Sequence, residues 1–106
     1  MTDTPWLGDT CSLVDAFRAG ERSPIEELEA TLAAIGSSEL NAFTHVDTER
    51  ARTAAAAADI SRPFGGVPVG IKALTPVEGW PNDSCSLALA GEIATETSTH
   101  VGRVLD

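Results

Sequence analysis

Positive charge is scarce in this chain. Seven lysines and arginines face sixteen acids over 106 residues, giving a net charge of -9. Only one of the seven cations is a lysine, Lys72. A nucleic-acid-binding surface displaces counterions with a basic stripe. No such stripe occurs, so neither a nucleic acid nor an anionic membrane surface is an expected partner. The acidity reads as solubility. Cysteine is nearly absent: Cys11 and Cys85 stand far apart and lack the spacing of metal ligands. Neither a metal nor a cofactor is expected. Aromatics make up 5%, and alanine supplies much of the 42% hydrophobic share. Such a core has many helix contacts and little bulk, which suits one part of a larger α/β protein. No apolar run approaches the ~20 residues of a membrane span. The opening "MTDTPWLGDT" has neither the basic region nor the apolar centre of a signal peptide. The expected setting is cytoplasmic, with reduced thiols.

Residues 1–11 read as a loose lead-in. "SLVDAFRAG" then reads as a short helix with Ser12 as cap, Leu13, Val14, Ala16 and Phe17 as its apolar side, and Gly20 as its stop. "SPIEELEATLAAIGSS" is the clearest helix. Ser23 takes the N-cap position, Pro24 the first helical position and Glu26 the third, a capping box. Ile25, Leu28, Leu32 and Ile35 fall on one stripe, and Gly36 closes the helix. The two helices are expected to form a hairpin. "NAFTHV" (41–46) alternates weakly and predicts a strand. Asp47 then caps a helix over "TERARTAAAAAD". "ISRPFGG" is turn chemistry, and "VPVGI" (67–71) predicts a second strand. Strand, helix and strand in this order form a βαβ unit with a parallel pair. After Lys72 comes the loop "ALTPVEGWPND", then a short helix capped by Ser86, then a final helix from "TSTHVGRVLD".

The expected fold is therefore α/β: a helical hairpin followed by a βαβ unit. Two strands do not make a self-sufficient sheet, and parallel sheets are covered by helices on both faces. The predicted elements thus read as an incomplete piece of a large mixed sheet flanked by helices, with residues 12–106 as the N-terminal fragment of a larger domain. A covering partner for the sheet edge is expected, either the remainder of that domain or another chain.

The segments "LVDAFRAGERSPIEELEATLAAI", "LNAFTHVDTERARTAAAAAD", "FGGVPVGIKALTPVEGW" and "SLALAG", in that order, resemble the N-terminal portion of amidase signature enzymes. The resemblance covers residues 12–105. It implies hydrolysis of a small-molecule amide, at a carbon–nitrogen bond, through a serine nucleophile, a second serine preceded by a cis peptide bond, and a lysine. Lys72 matches the lysine. An amine serves as a proton acceptor only when neutral. Burial away from carboxylates favours the neutral form and brings relay from a serine within reach. On a strand, Lys72 would share a face with Gly70 and Pro68, small neighbours that leave room beside the amine.

The sequence departs from the family in three places. The glycine- and serine-rich stretch that carries both family serines is not among these residues; its place would be beyond Asp106. Ala73 follows the lysine where the family commonly has an acid. "TPVEGWPNDSCS" replaces a loop that tends towards threonine and glycine. Other candidates are weaker. His45 and His100 have no neighbouring ligand spacing. Cys85 at a helix start is a possible nucleophile without a histidine near it in sequence. Trp80 either lines a substrate entrance or packs under its loop. Ser84 and Ser86 match a loop-to-helix segment, and "FGGVPVG" lacks the Lys-Ser ending of a phosphate loop. Two rivals stand beside the amidase reading. One is a short binding or regulatory protein, or pseudoenzyme remnant, that docks on an amidase-like partner. The other is a small hydrolase using Cys85.

Overall fold

Four α-helices carry the regular structure of this chain, in a computed structural model that describes residues 4–106. They are α1 (Thr10–Ala19), α2 (Pro24–Ser37), α3 (Thr48–Ala56) and α4 (Thr99–Leu105), with a single 3-10 turn at Leu87–Leu89. The chain divides into two units, Met1–Val69 and Gly70–Asp106.

In the first unit, α1 starts one turn earlier than Ser12. Its N-cap is Asp9, whose carboxylate accepts the Ser12 N–H at 2.7 Å. Asp9 is the first residue able to satisfy an orphan amide there, so Ser12 becomes the third helical residue. Gly20, at φ +75°, closes α1 as expected, its N–H reaching the carbonyls of Ala16 and Phe17. The four residues of the apolar side, Leu13, Val14, Ala16 and Phe17, are all buried. In α2 the Ser23 hydroxyl accepts the Glu26 N–H at 3.1 Å, and Pro24 leads the helix. The helix runs past Gly36 to Ser37. Leu28 of its stripe is buried, Leu32 and Ile35 are half-buried, and Ile25 is exposed. Asp47 caps α3 through the Arg50 N–H, and the helix stops at Ala56, short of the alanine run's end.

The main helix–helix contact joins α2 to α3, not α1 to α2 as the hairpin reading expected. Arg52 of α3 makes a two-pronged contact with Glu29 of α2, Nε to Oε1 at 2.7 Å and Nη2 to Oε2 at 3.2 Å. No residue of α3 is buried, so the alanine face is a light contact surface and not a core.

The α/β expectation is overturned. The described residues are 42% helix and 2% strand, with no sheet and no βαβ unit. The one β-bridge among them is antiparallel, between Pro81 and Ile93, and lies in neither predicted strand. Residues 41–46 are irregular. Asn41 takes a left-handed φ of +52°, and Phe43 and Val46 stay exposed. Residues 67–71 are also irregular; Pro68 has no N–H to offer a ladder, and Val69 is exposed. The physical reason is that β-propensity measures fit to a neighbouring strand and a covered face. These two segments do not supply that neighbour to each other.

The second unit is held by main-chain bonds around a loop. Residues 76–82 run against 92–98. The carbonyl of Pro76 accepts the Ser98 N–H, Gly79 N–H reaches the Ala94 carbonyl, Ala94 N–H reaches the Trp80 carbonyl, and Asn82 N–H reaches the Glu92 carbonyl, all within 2.8–3.0 Å. The Thr97 hydroxyl accepts the Glu78 N–H at 2.9 Å. Val77, Ala94 and Val101 are the buried residues of this unit. Ser86 caps the 3-10 turn through the Ala88 N–H, where a short helix was expected.

Candidate functional site

The residues leading towards Lys72 are seated on the helices of the first unit. The turn chemistry of "ISRPFGG" is realised as successive bonds: Arg62 N–H to the Asp59 carbonyl, Gly65 N–H to that of Arg62, and Val67 N–H to that of Phe64, each 3.2 Å. Both glycines are required by geometry. A Cβ on Gly65 would collide with the Asp59 carbonyl oxygen. Gly66 has φ +88°, and a Cβ there would stand 2.6 Å from Pro24 Cγ and 3.3 Å from Phe17 Cε2. The turn can therefore press onto the end of α1 and the start of α2 only because it has no side chain at these two points. Val67 and Pro68 continue along an open cleft of about 210 Å³, whose wall includes Trp6, Leu13, Glu27 and Thr31.

Behind that cleft lies the least exposed polar group of the unit. Arg22 and Glu27 are both buried, with Arg22 Nε 2.7 Å from Glu27 Oε2. The Trp6 N–H sits 3.1 and 3.2 Å from the two Glu27 oxygens, and Arg22 Nη2 donates to the Thr4 carbonyl at 2.7 Å. Trp6 Nε1 donates to the Ser12 hydroxyl, which in turn donates to the Asp9 carbonyl. A buried charge must be paired and bonded, and this cluster does both. As sequence, the first-turn acids of α2 read only as dipole partners, which hides the buried pair. The available signal is position: Glu27 lies three and four residues before Ala30 and Thr31, on the covered side of α2.

Lys72 opens the second unit, in a turn where its carbonyl accepts the Thr75 N–H at 2.9 Å. Its side chain is exposed, so the expectation of a buried amine at a strand end is not met. Among the described residues it has no hydrogen-bond or ion-pair partner. Ala73 beside it is half-buried.

The other candidates lie apart from any catalytic arrangement. Cys85 is exposed, with φ +56°, in a turn where its N–H donates to the Asp83 carboxylate at 2.9 Å; the neighbouring helical turn is capped by Ser86. Ser84 shares that turn at φ +50°. Trp80 is half-buried within the paired loop. His45 and His100 are exposed. Among the described residues no group of three or more histidine, cysteine, aspartate or glutamate side chains is placed to hold a metal ion. No helix there is long and apolar enough to cross a membrane.

Comparison with known proteins agrees with the lysine-bearing motif. A model of the family described as Amidase matches residues 26–106. The chain belongs to the amidase family. Its relatives include the A-type subunit of the glutamyl-tRNA(Gln) amidotransferase of Chloroflexus aggregans, 37% identical over 85% of this chain and 20% of that protein. The corresponding protein of Rhizorhabdus wittichii is 38% identical over 98% of this chain and 22% of its own length. That of Salinispora arenicola is 36% identical over 98% and 23%. The chain thus spans about a fifth of the length of the curated relatives it matches. No solved structure matches it.

Proposed function

We propose that this chain is the lysine-bearing part of an amidase-family hydrolase that cleaves a carboxylic amide at its carbon–nitrogen bond, with Lys72 as the proton-accepting amine. The observation that carries the reading is the run Gly66–Lys72, which ends in the chain's sole lysine inside the region matched to the family. In this reading the Lys72 amine, exposed and unpaired among the described residues, is available to groups supplied from outside these 106 residues. Two serines complete the mechanism. One attacks the amide carbonyl. The other, preceded by a cis peptide bond, passes the nucleophile's proton to neutral Lys72. The proton then goes to the departing amine, and water releases the acyl group from the serine. No metal or cofactor takes part, and the 106 residues alone are inactive. The relatives are named as parts of glutamyl-tRNA(Gln) amidotransferases. The shared chemistry extended here is that of a small carboxylic amide, in the cytoplasm, with no nucleic acid or membrane contact from these residues.

A second reading is a short non-catalytic protein, or pseudoenzyme remnant, that docks on an amidase-like chain. It is favoured by the exposure of Leu40, Phe64 and Leu87, at 85%, 64% and 95%. The mass of the native polypeptide, detected through a peptide ending at Lys72, separates the two. A product several times 11.0 kDa, in which Lys72→Ala lowers amide hydrolysis by about 10³-fold, supports the enzyme. A product of 11.0 kDa overturns it in favour of the docking protein.

A further inference from the structure

We propose that Arg18 is a positioning residue for the Lys72 run, acting through the turn at 59–66; the proposal rests on the reading of Lys72 as the reacting amine. Arg18 lies in the last turn of α1, where a basic residue ordinarily does no more than complement the helix dipole. Here its guanidinium reaches a stretch of chain more than forty residues away. Nε donates to the Ile60 carbonyl at 3.1 Å. Nη2 donates to the Arg62 carbonyl at 3.1 Å and, more weakly, to that of Ser61 at 3.4 Å. Three consecutive carbonyls converge on one planar fork. A lysine, with a single ammonium on a flexible stem, does not reproduce that geometry.

The gripped carbonyls begin the chain of turns described above. The Arg62 carbonyl also accepts the Gly65 N–H. Gly66 then rests against Phe17, the neighbour of Arg18 on α1, and against Pro24. The same helix end therefore fixes the turn twice, by the Arg18 fork and by the Phe17 ring. Beyond Gly66 the chain runs to Lys72 with little further support: no main-chain N–H from Val69 to Leu74 has a backbone acceptor among the described residues. The place from which the lysine run departs is thus set by the Arg18 and Gly66 seat. Where a reacting group must be held to within an ångström, loss of its support is expensive in rate.

The test has two arms. In this chain, Arg18→Ala raises amide hydrogen exchange at Gly65 and Val67, while α2 and α3 keep their protection. In the full-length native polypeptide, ammonia release is followed from simple primary carboxamides (acetamide, benzamide and glutamine). Arg18→Lys and Arg18→Ala lower kcat by about tenfold with KM nearly unchanged. Millimolar methylguanidinium restores part of the loss in Arg18→Ala and none in Lys72→Ala. Melting temperature is measured alongside. Unchanged exchange at Gly65 and Val67 overturns the proposal, as does wild-type kcat in a folded Arg18→Ala. If the wild type hydrolyses none of the amides, or Lys72→Ala is as active as it, the reading of Lys72 falls instead. The exchange arm then still decides the grip on the turn.

Discussion

Arg22 and Glu27 form an ion pair with both side chains almost wholly shielded from water, at 6% and 5% exposure, and Nε lies 2.7 Å from Oε2. The same carboxylate receives the Trp6 N–H, and the same guanidinium holds the Thr4 carbonyl. The pair therefore ties the segment before α1 to the start of α2. Removing one partner leaves the other charge buried and alone. Glu27→Ala is expected to cost about 3 kcal/mol, read from the shift of the denaturant midpoint. Glu27→Gln keeps an acceptor for the Trp6 N–H and costs less. Equal stability of Glu27→Ala and wild type would contradict the buried pair.

Gly66 is the second structural test. Its φ of +88° and its approach to Pro24 leave no room for a side chain. Gly66→Ala is expected to lose about 1–2 kcal/mol from the left-handed backbone alone, with the Pro24 clash added. The melting temperature falls accordingly. Gly36→Ala is the control: nothing lies within 4 Å of a Cβ there, and the site is helical, so that change is neutral or stabilising.

The cap of α2 is legible in the sequence and carries its own prediction. Ser23→Ala removes the acceptor of the Glu26 N–H and costs about 1 kcal/mol. Ser23→Asp retains it. Circular dichroism followed through a thermal melt distinguishes the two; loss of stability in both would mean that the hydroxyl does not act as the cap.

Acid should weaken the first unit in a defined order. The Arg52 hydrogen bond holds the Glu29 carboxyl below its ordinary value of 4.5. The Ser61 hydroxyl and N–H hold Asp59 below its ordinary 3.8, and the Ser12 N–H does the same for Asp9. Each group is more acidic folded than unfolded. Its contribution is complete above the ordinary value and is lost as pH falls through the lowered folded one. All three sites are open to solvent, so the effect is modest and salt screens the Glu29–Arg52 part. Melting temperature measured downward from about pH 5 should fall less steeply in Glu29→Gln and Asp59→Asn than in wild type. Identical slopes would show that these bonds do not persist in solution.

The helices are readable because their signals are local. A cap, a proline at the first turn and an apolar stripe at three- and four-residue spacing lie within one segment, and Pro24–Ser37 forms almost as its sequence predicts. The cap of α1 falls three residues before the predicted one because Asp9 and Ser12 are both good capping residues. The choice between them is settled by where the chain enters the helix. The strands fail for a different reason. Phe43, Val46, Val67 and Val69 are β-prone, but a strand exists only with a neighbour to complete its ladder, and no local signal reports whether that neighbour is there.

Membership of the family, through a motif that ends in Lys72, and the helical segments of the first unit are both written in the linear order of residues. Each depends on residue types at fixed short spacing. Folding in three dimensions was needed to pair Arg22 with Glu27 in the interior and to bring Arg18 onto the turn at 60–62. It also makes Gly66 obligatory, because Pro24 and Phe17 occupy the space of its side chain. These are contacts between positions set by how the chain folds back on itself. The energy that selects them, burial of charge with its partner and close packing of backbone against side chain, exists only once the segments have met.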